Sequence, residues 1–272
     1  MLEPTFVNFL VSMLFGILTG VVCPVFGIGG GAFMVPFLIL FAGLEMKNAV
    51  AVSLLCVVGL SSLATAFNLE KCLVRVKLGI SMAFFAISGA ILSAYAADYM
   101  PEKILMIIFP FLLFFISFSM FFRSEKKAEN QTGGKHSYFD ENCRKEVSYD
   151  IKNFKTVSFL SFFGGGLAGL FGIGGGIVQV PLINLLAKAP IKVAAATSSF
   201  IVSMSACAAA SVFFRKGFIV REIATPMFLG VIIGSFIGVR ILHKSRSEKI
   251  RKIFAILLFL AAVKIFLKAL SL

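Results

Sequence analysis

Phe26-Gly27-Ile28-Gly29-Gly30-Gly31, running on to Val35-Pro36, recurs 145 residues later as Phe171-Gly172-Ile173-Gly174-Gly175-Gly176, running on to Val180-Pro181. Each copy lies inside apolar sequence and interrupts a stretch that would otherwise continue as helix. Paired glycine breaks at corresponding positions of two halves are the sequence mark of repeat-built membrane carriers, whose helices are broken where they meet their cargo. The duplication predicts a protein that moves a solute across a membrane.

Composition points the same way. Of 272 residues, 59% are hydrophobic and only 14% charged, with 32 Phe, and the mean hydropathy is +0.98. A water-soluble core does not hide that much apolar surface. Several apolar runs reach the roughly 20 residues that a helix needs to cross about 30 Å of hydrocarbon. Helices are the expected spanning element, because they satisfy their own backbone groups in lipid. Met1-Leu2-Glu3-Pro4 brings no basic n-region to the first run, which therefore reads as a retained helix and not a cleaved leader.

Polar breaks divide the chain into apolar runs at about 5–24, 28–44, 48–68, 78–97 and 102–122, then 155–171, 174–187, 193–214, 223–241 and 251–270. The expected organisation is a first transmembrane repeat (1–122), a polar cytoplasmic linker (123–153) rich in Lys, Glu, Asn and Gly, and a second transmembrane repeat (154–272). The offset of 145 also matches Lys47 with Lys192, Ser53 with Ser198, Gly20 with Gly165 and Gly89 with Gly234. The expected fold class is an all-α integral membrane protein of two inverted repeats. Each would have about four long transmembrane helices plus a shorter segment after the glycine break.

Inversion rests on charge. The formal charge of +13 comes from Lys and Arg in short connections, where they orient a membrane protein and do not mark a nucleic-acid surface. With five crossings per half, the inside holds three basic residues at 71–77, eight at 123–155, two at 188–192 and six at 240–252, which is 19 of the chain's 26. If the short run after each glycine break only dips in and returns, the best orientation gives 16 against 10 and places the basic 240–252 loop outside. The positive-inside rule favours five crossings per half and so a multi-pass membrane protein.

The glycine breaks suggest the chemistry. A helix that starts after Gly29, Gly30 and Gly31, or after Gly174, Gly175 and Gly176, presents unpaired N–H donors and the positive end of its dipole, a setting that attracts anions. Pro36 and Pro181 disfavour helix at Val35 and Val180, which allows the break to extend that far. Ser53, Thr197 and Ser198 begin the segment after each break and offer hydroxyls, while Gln179 is a primary amide in apolar surroundings and needs a partner. Lys47 and Lys192 stand at segment starts, as entrance residues for an anion or as snorkelling anchors. Glycines that serve helix packing and hydroxyls that bond their own helix are the plainer alternatives. No Asp, Glu or His lies deep in a run, so a carboxylate relay is not supported.

The paired FGIGGGxxxVP blocks at 26–36 and 171–181, with the Ala- and Ser-rich segments that follow them, resemble the TauE/SafE-type sulfite exporter family of membrane permeases. The resemblance covers nearly the whole chain except the 123–153 linker. It implies a carrier of a small anionic substrate in the lipid bilayer of a bacterial-type plasma (inner) membrane, with sulfur oxyanions and organosulfonates foremost, and does not fix sulfite, a sulfonate or a carboxylate such as acetate. No cofactor, metal site or nucleic-acid partner is expected, and a homo-oligomer is left open. Cys23, Cys56, Cys72, Cys143 and Cys207 form no CxxC pair and are expected as free thiols, mostly buried. An enzyme reading fails on motifs: there is no GxxxxGK[ST] loop, no base beside the hydroxyls and no metal-ligand cluster. A packing scaffold and an anion channel remain as rival membrane roles.

Overall fold

The computed structural model describes residues 6–26, 30–122, 136–140, 145–242 and 248–270, with side chains described within 9–23, 30–119, 121, 148–238, 252 and 255–270. The first half runs α1 (Phe6–Phe26), α2 (Gly31–Leu40), α3 (Met46–Glu70), α4 (Val76–Tyr99) and α5 (Glu102–Phe122). The second runs α6 (Phe154–Phe171), α7 (Gly176–Pro181), α8 (Ile191–Arg215), α9 (Arg221–Leu242) and α10 (Glu248–Leu270). The bounds of α8 are those of α3 shifted by 145, and the starts of α7 and α9 are those of α2 and α4 shifted equally. Six of the described helices are long and apolar enough to cross a membrane, namely α3, α4, α5, α6, α8 and α9.

The structure corrects the extent of the breaks and adds an element to the linker. Helix begins at the last glycine of each cluster, so Val35 and Val180 are helical and Pro36 lies inside α2. A proline costs a membrane helix one backbone bond, which neighbouring segments can re-satisfy. At Pro181 the cost appears as a change of winding, because Leu182–Leu186 continues α7 as a π-helical turn. The 123–153 linker, for which no regular element is predicted, contains an antiparallel pair of β1 (His136–Asp140) and β2 (Lys145–Tyr149), with Tyr138 opposite Val147. Aromatic and β-branched residues favour that pairing even in a polar stretch.

The halves are interleaved. The first helix of each half packs along the fourth helix of the other, α1 with α9 and α6 with α4, while α3 meets α8 and α5 meets α10. The spanning windows of α3 and α8 are 61% buried, against 39–44% for the other four, so this pair is central. The outer helices turn Phe84, Phe111, Phe115, Phe118, Phe159 and Phe163 outward, an apolar belt suited to lipid.

Small residues set the crossings. Gly230 sits against Met13, Gly234 against Ile17 and Gly238 against Val21, so α1 and α9 run in the same direction in backbone contact. Gly165 sits against Ala86 and Gly169 against Ala90, so α6 and α4 also run together. Gly59 meets Phe228, and Phe67 meets Phe236 edge-on at 5.9 Å, so α3 runs with α9 and hence with α1. By contrast α5 and α10 run oppositely: Phe111 pairs with Phe266, Phe114 with Phe259, and Ser117 Oγ donates to Ala255 O at 2.8 Å. Close approach of this kind replaces the hydrophobic drive that lipid cannot supply.

Adjacent glycines test that account. A Cβ on Gly165 would overlap the Ala86 carbonyl, whereas one on Gly166 meets nothing within 4 Å. Gly165→Ala is expected to lower the thermal midpoint of the detergent-solubilised protein, at a cost of about 1–3 kcal/mol from overpacking. Gly166→Ala should match or exceed the wild type by up to about 1 kcal/mol through helix propensity. Equal midpoints for the two variants would show that α4 and α6 do not cross at Gly165.

Candidate substrate site at the paired glycine breaks

The two breaks touch. Gly31, the first residue of α2, lies so close to Gly172 and Ile173 that a Cβ on it would overlap the Gly172 carbonyl. Gly172 closes α6 with a left-handed φ of 69° and donates its N–H to Ala168 O at 2.9 Å. Its own carbonyl accepts the hydroxyl of Ser53 from α3 at 2.9 Å. A glycine break of one half therefore meets the break of the other, with Ser53 as the bond between them. Gly29 and the equivalent carbonyl of Gly27 lie outside the described residues.

Gly30 and Gly175 precede α2 and α7 with φ of 75° and 70°, a conformation that favours glycine. Each carbonyl turns into the helix it precedes: Gly30 O accepts the N–H groups of Phe33 and Met34, and Gly175 O those of Val178 and Gln179. Gly174 shares the left-handed region with φ of 83°, and Gly176 is buried as the first residue of α7. A Cβ on Gly175 would lie 2.5 Å from Gly164 O. The left-handed backbone accounts for glycine at both positions, and at Gly175 packing against Gly164 requires it as well.

The predicted hydroxyls are buried, and each has a partner within the protein. Ser53 is spent on Gly172. Thr197 Oγ1 accepts the backbone N–H of Arg75 at 3.1 Å, at the start of α4. Ser198 Oγ donates to Ala195 O of its own helix at 3.0 Å. Gln179 differs: it is fully buried on α7, and neither its Nε2 nor its Oε1 has a hydrogen-bond partner. Its Cγ lies 3.3 Å from where a Cβ on Gly164 would stand.

The charged residues sit at the ends of the bundle. Lys47 Nζ donates to Asp98 O at 2.6 Å, and Asp98 pairs with Lys216 at the end of α8, whose ammonium lies 5.1 and 5.5 Å from the Tyr95 and Tyr99 ring centres. Beside this cluster, Glu102 Oε1 accepts the N–H of Met46 at 2.7 Å and so caps α3. At another end, Arg75 stacks over the Tyr149 ring at 5.2 Å and its Nε donates to the phenol oxygen. Burial raises the Tyr149 pKa, while the Arg75 hydrogen bond and charge oppose that rise. Lys192, the repeat partner of Lys47, also makes an interaction of its own.

Sequence reading did not single out Ser161 and Gly164. Ser161 is fully buried on α6 and its hydroxyl has no partner. The run Gly164-Gly165-Gly166 inside an apolar helix was the available signal for close approach here. Among the described residues, no group of three His, Cys, Asp or Glu is placed to hold a metal ion. Four described cysteines are free thiols, of which Cys23 and Cys56 are buried while Cys72 and Cys207 are exposed, so burial holds for only half of them.

Comparison with known proteins agrees with this architecture. Residues 12–265 match the family model described as Sulfite exporter TauE/SafE. The chain is 28% identical over 263 residues to the probable membrane transporter protein YunE of Bacillus subtilis (strain 168), covering 93% of this chain and 95% of that one. It is 22% identical over 237 residues to the probable membrane transporter protein YdhB of the same organism, covering 85% and 87%. No solved structure matches the chain significantly. With its six long apolar helices and a match spanning nearly its whole length, the chain is a multi-pass membrane protein that belongs to the sulfite exporter TauE/SafE family of membrane transporters.

Proposed function

We propose that this protein is a plasma-membrane carrier for a small anion, of the sulfur oxyanion or organosulfonate class, working by alternating access between two inverted repeats. The observation that carries the reading is the contact of the two glycine breaks at Gly31 and Gly172, each half bringing its broken helix to the same place. The helix directions support inversion. α5 and α10, equivalent at the offset of 145, run oppositely. α1 and α3 run the same way, so α2 carries the chain back between them. α4 then returns from α3 through the short connector at 71–75, and α6 runs with α4, hence against α1.

An inverted pair places equivalent loops on opposite sides of the membrane, and the excess of Lys and Arg in the connections at 71–77, 123–155 and 240–252 sets which side is cytoplasmic. The surroundings of the breaks support an anionic substrate: helix starts and neutral polar groups, with no buried carboxylate among the described residues to balance a cation. Sulfur comes from the family. The YunE and YdhB names say transporter and nothing of cargo.

Topology is tested with single cysteines. Cys72 in the 71–75 connector is exposed, and so is Arg215 at the equivalent end of α8. In right-side-out vesicles, a membrane-impermeant maleimide is expected to label a variant whose only cysteine is introduced by Arg215→Cys, and to leave a Cys72-only variant unlabelled until the membrane is opened. Labelling of both from the same side would overturn inversion.

Transport is tested in proteoliposomes loaded with unlabelled anion and offered radiolabelled sulfite, with an organosulfonate, acetate and chloride as competitors. Saturable, counter-anion-dependent uptake is the expected result, with sulfonate competing better than acetate or chloride. Non-saturable flux would indicate a channel, and no flux of any anion would favour the scaffold role.

A further inference from the structure

The duplication copies the glycine breaks faithfully but not every buried polar side chain. At the offset of 145, the buried and unpartnered Gln179 and Ser161 correspond to Met34 and Gly16 in the first half. Met34 is itself fully buried, so the two positions share their depth in the fold and differ in chemistry. Among the described residues, the buried side-chain atoms without a hydrogen-bond partner are the Ser161 hydroxyl, both amide atoms of Gln179 and the Ser235 hydroxyl, all in the second half. Leaving such groups unpaired costs about 1–3 kcal/mol each.

Gln179 and Ser161 belong to one locality. The Gln179 side chain packs against Gly164, and Ser161 lies one turn earlier on α6, on the face it shares with Gly164 because residues three apart are neighbours on a helix. Gly164, with no Cβ, lets the Gln179 side chain approach α6 closely.

We propose that Gln179 and Ser161 form a neutral hydrogen-bonding subsite for the transported anion, built from the second half alone, and that it selects an oxyanion carrying its own hydrogen-bond donor. This rests on the carrier reading above. The carboxamide presents two N–H donors at Nε2 and an acceptor at Oε1, and Ser161 adds a hydroxyl. An anion with only acceptor oxygens satisfies Nε2 and Ser161 but leaves Oε1 facing negative charge. An anion with an O–H or N–H beside its oxygens, such as a hydroxylated sulfonate or a protonated oxyanion, satisfies all three. The subsite is a place for one end of one substrate, while the paired glycine breaks provide the symmetric frame around it.

The experiment uses purified full-length protein in proteoliposomes taking up labelled sulfite, with two competitors of nearly equal size: 2-hydroxyethanesulfonate, which carries a donor, and 1-propanesulfonate, which does not. The wild type should prefer the hydroxylated competitor by about tenfold, the value of one buried hydrogen bond. In Gln179→Met, which installs the residue of the first half, that preference should fall to near unity. Without ligand its thermal midpoint should equal or exceed that of the wild type, since two unpaired polar atoms are gone. Ser161→Ala should weaken both competitors while keeping their ranking.

A preference undiminished in Gln179→Met, in vesicles with normal saturable flux, would overturn the subsite and leave the carrier standing. A Gln179→Met protein that melts well below the wild type would also overturn it, by showing that the amide serves the fold. Absence of saturable flux for every anion in the wild type would overturn the carrier reading and the subsite with it.

Discussion

The carbonyl of Gly172 is the point on which the two halves depend. It is the last backbone group of a helix that stops inside the protein, and within a bilayer such a group has no bulk water to turn to. Ser53 satisfies it from the other half at 2.9 Å. That bond exists only because α2 begins with Gly31, where any side chain would occupy the space of the carbonyl. One hydrogen bond and one missing Cβ thus hold α3 of the first half to the end of α6 of the second. Ser53 belongs to α3, one of the two most buried helices, so the joint is tied to the centre of the fold.

The sequence was legible where the physics is local. Apolar length and polar punctuation located every helix to within a few residues, and the glycine motif located the breaks, because a glycine cluster needs no tertiary partner to interrupt a helix. The correspondence of Gly20 with Gly165 and of Gly89 with Gly234 was also visible, but not its meaning. In the fold Gly20 packs on Gly234, and Gly165 belongs to the helix that packs on Gly89, so the four glycines form two equivalent crossings between halves. Such pairing joins residues far apart in sequence, and nothing in either segment specifies its partner.

The hydroxyls show the same limit more sharply. Ser53, Thr197 and Ser198 stand out in the sequence as polar groups in apolar segments, and burial follows, yet their partners are a carbonyl 119 residues away, an amide 122 residues away and a carbonyl in the same helix. A hydroxyl is small and adaptable enough to be satisfied by whatever backbone group passes nearby, so its presence does not distinguish structural service from substrate contact. The strand pair within 136–149 was missed for another reason. Its composition is polar, and the β-pairing of Tyr138 with Val147 depends on a register that charge-rich sequence obscures.

Gln179 escapes this ambiguity because of what a carboxamide demands. It carries two donors and an acceptor on a planar head and cannot bond its own helix as readily as a serine does, so the lack of any protein partner is informative where a hydroxyl's would be less so. The glycines cannot play this diagnostic part: Gly31 and Gly175 are each required by a neighbouring carbonyl, so their substitution disturbs packing and binding together. A repeat that keeps its glycines is obeying sterics common to both halves. Met34 and Gln179 are equivalent in position and equally buried but differ in chemistry, and under the proposed carrier reading a single asymmetric cargo between two similar halves supplies a physical reason for the difference.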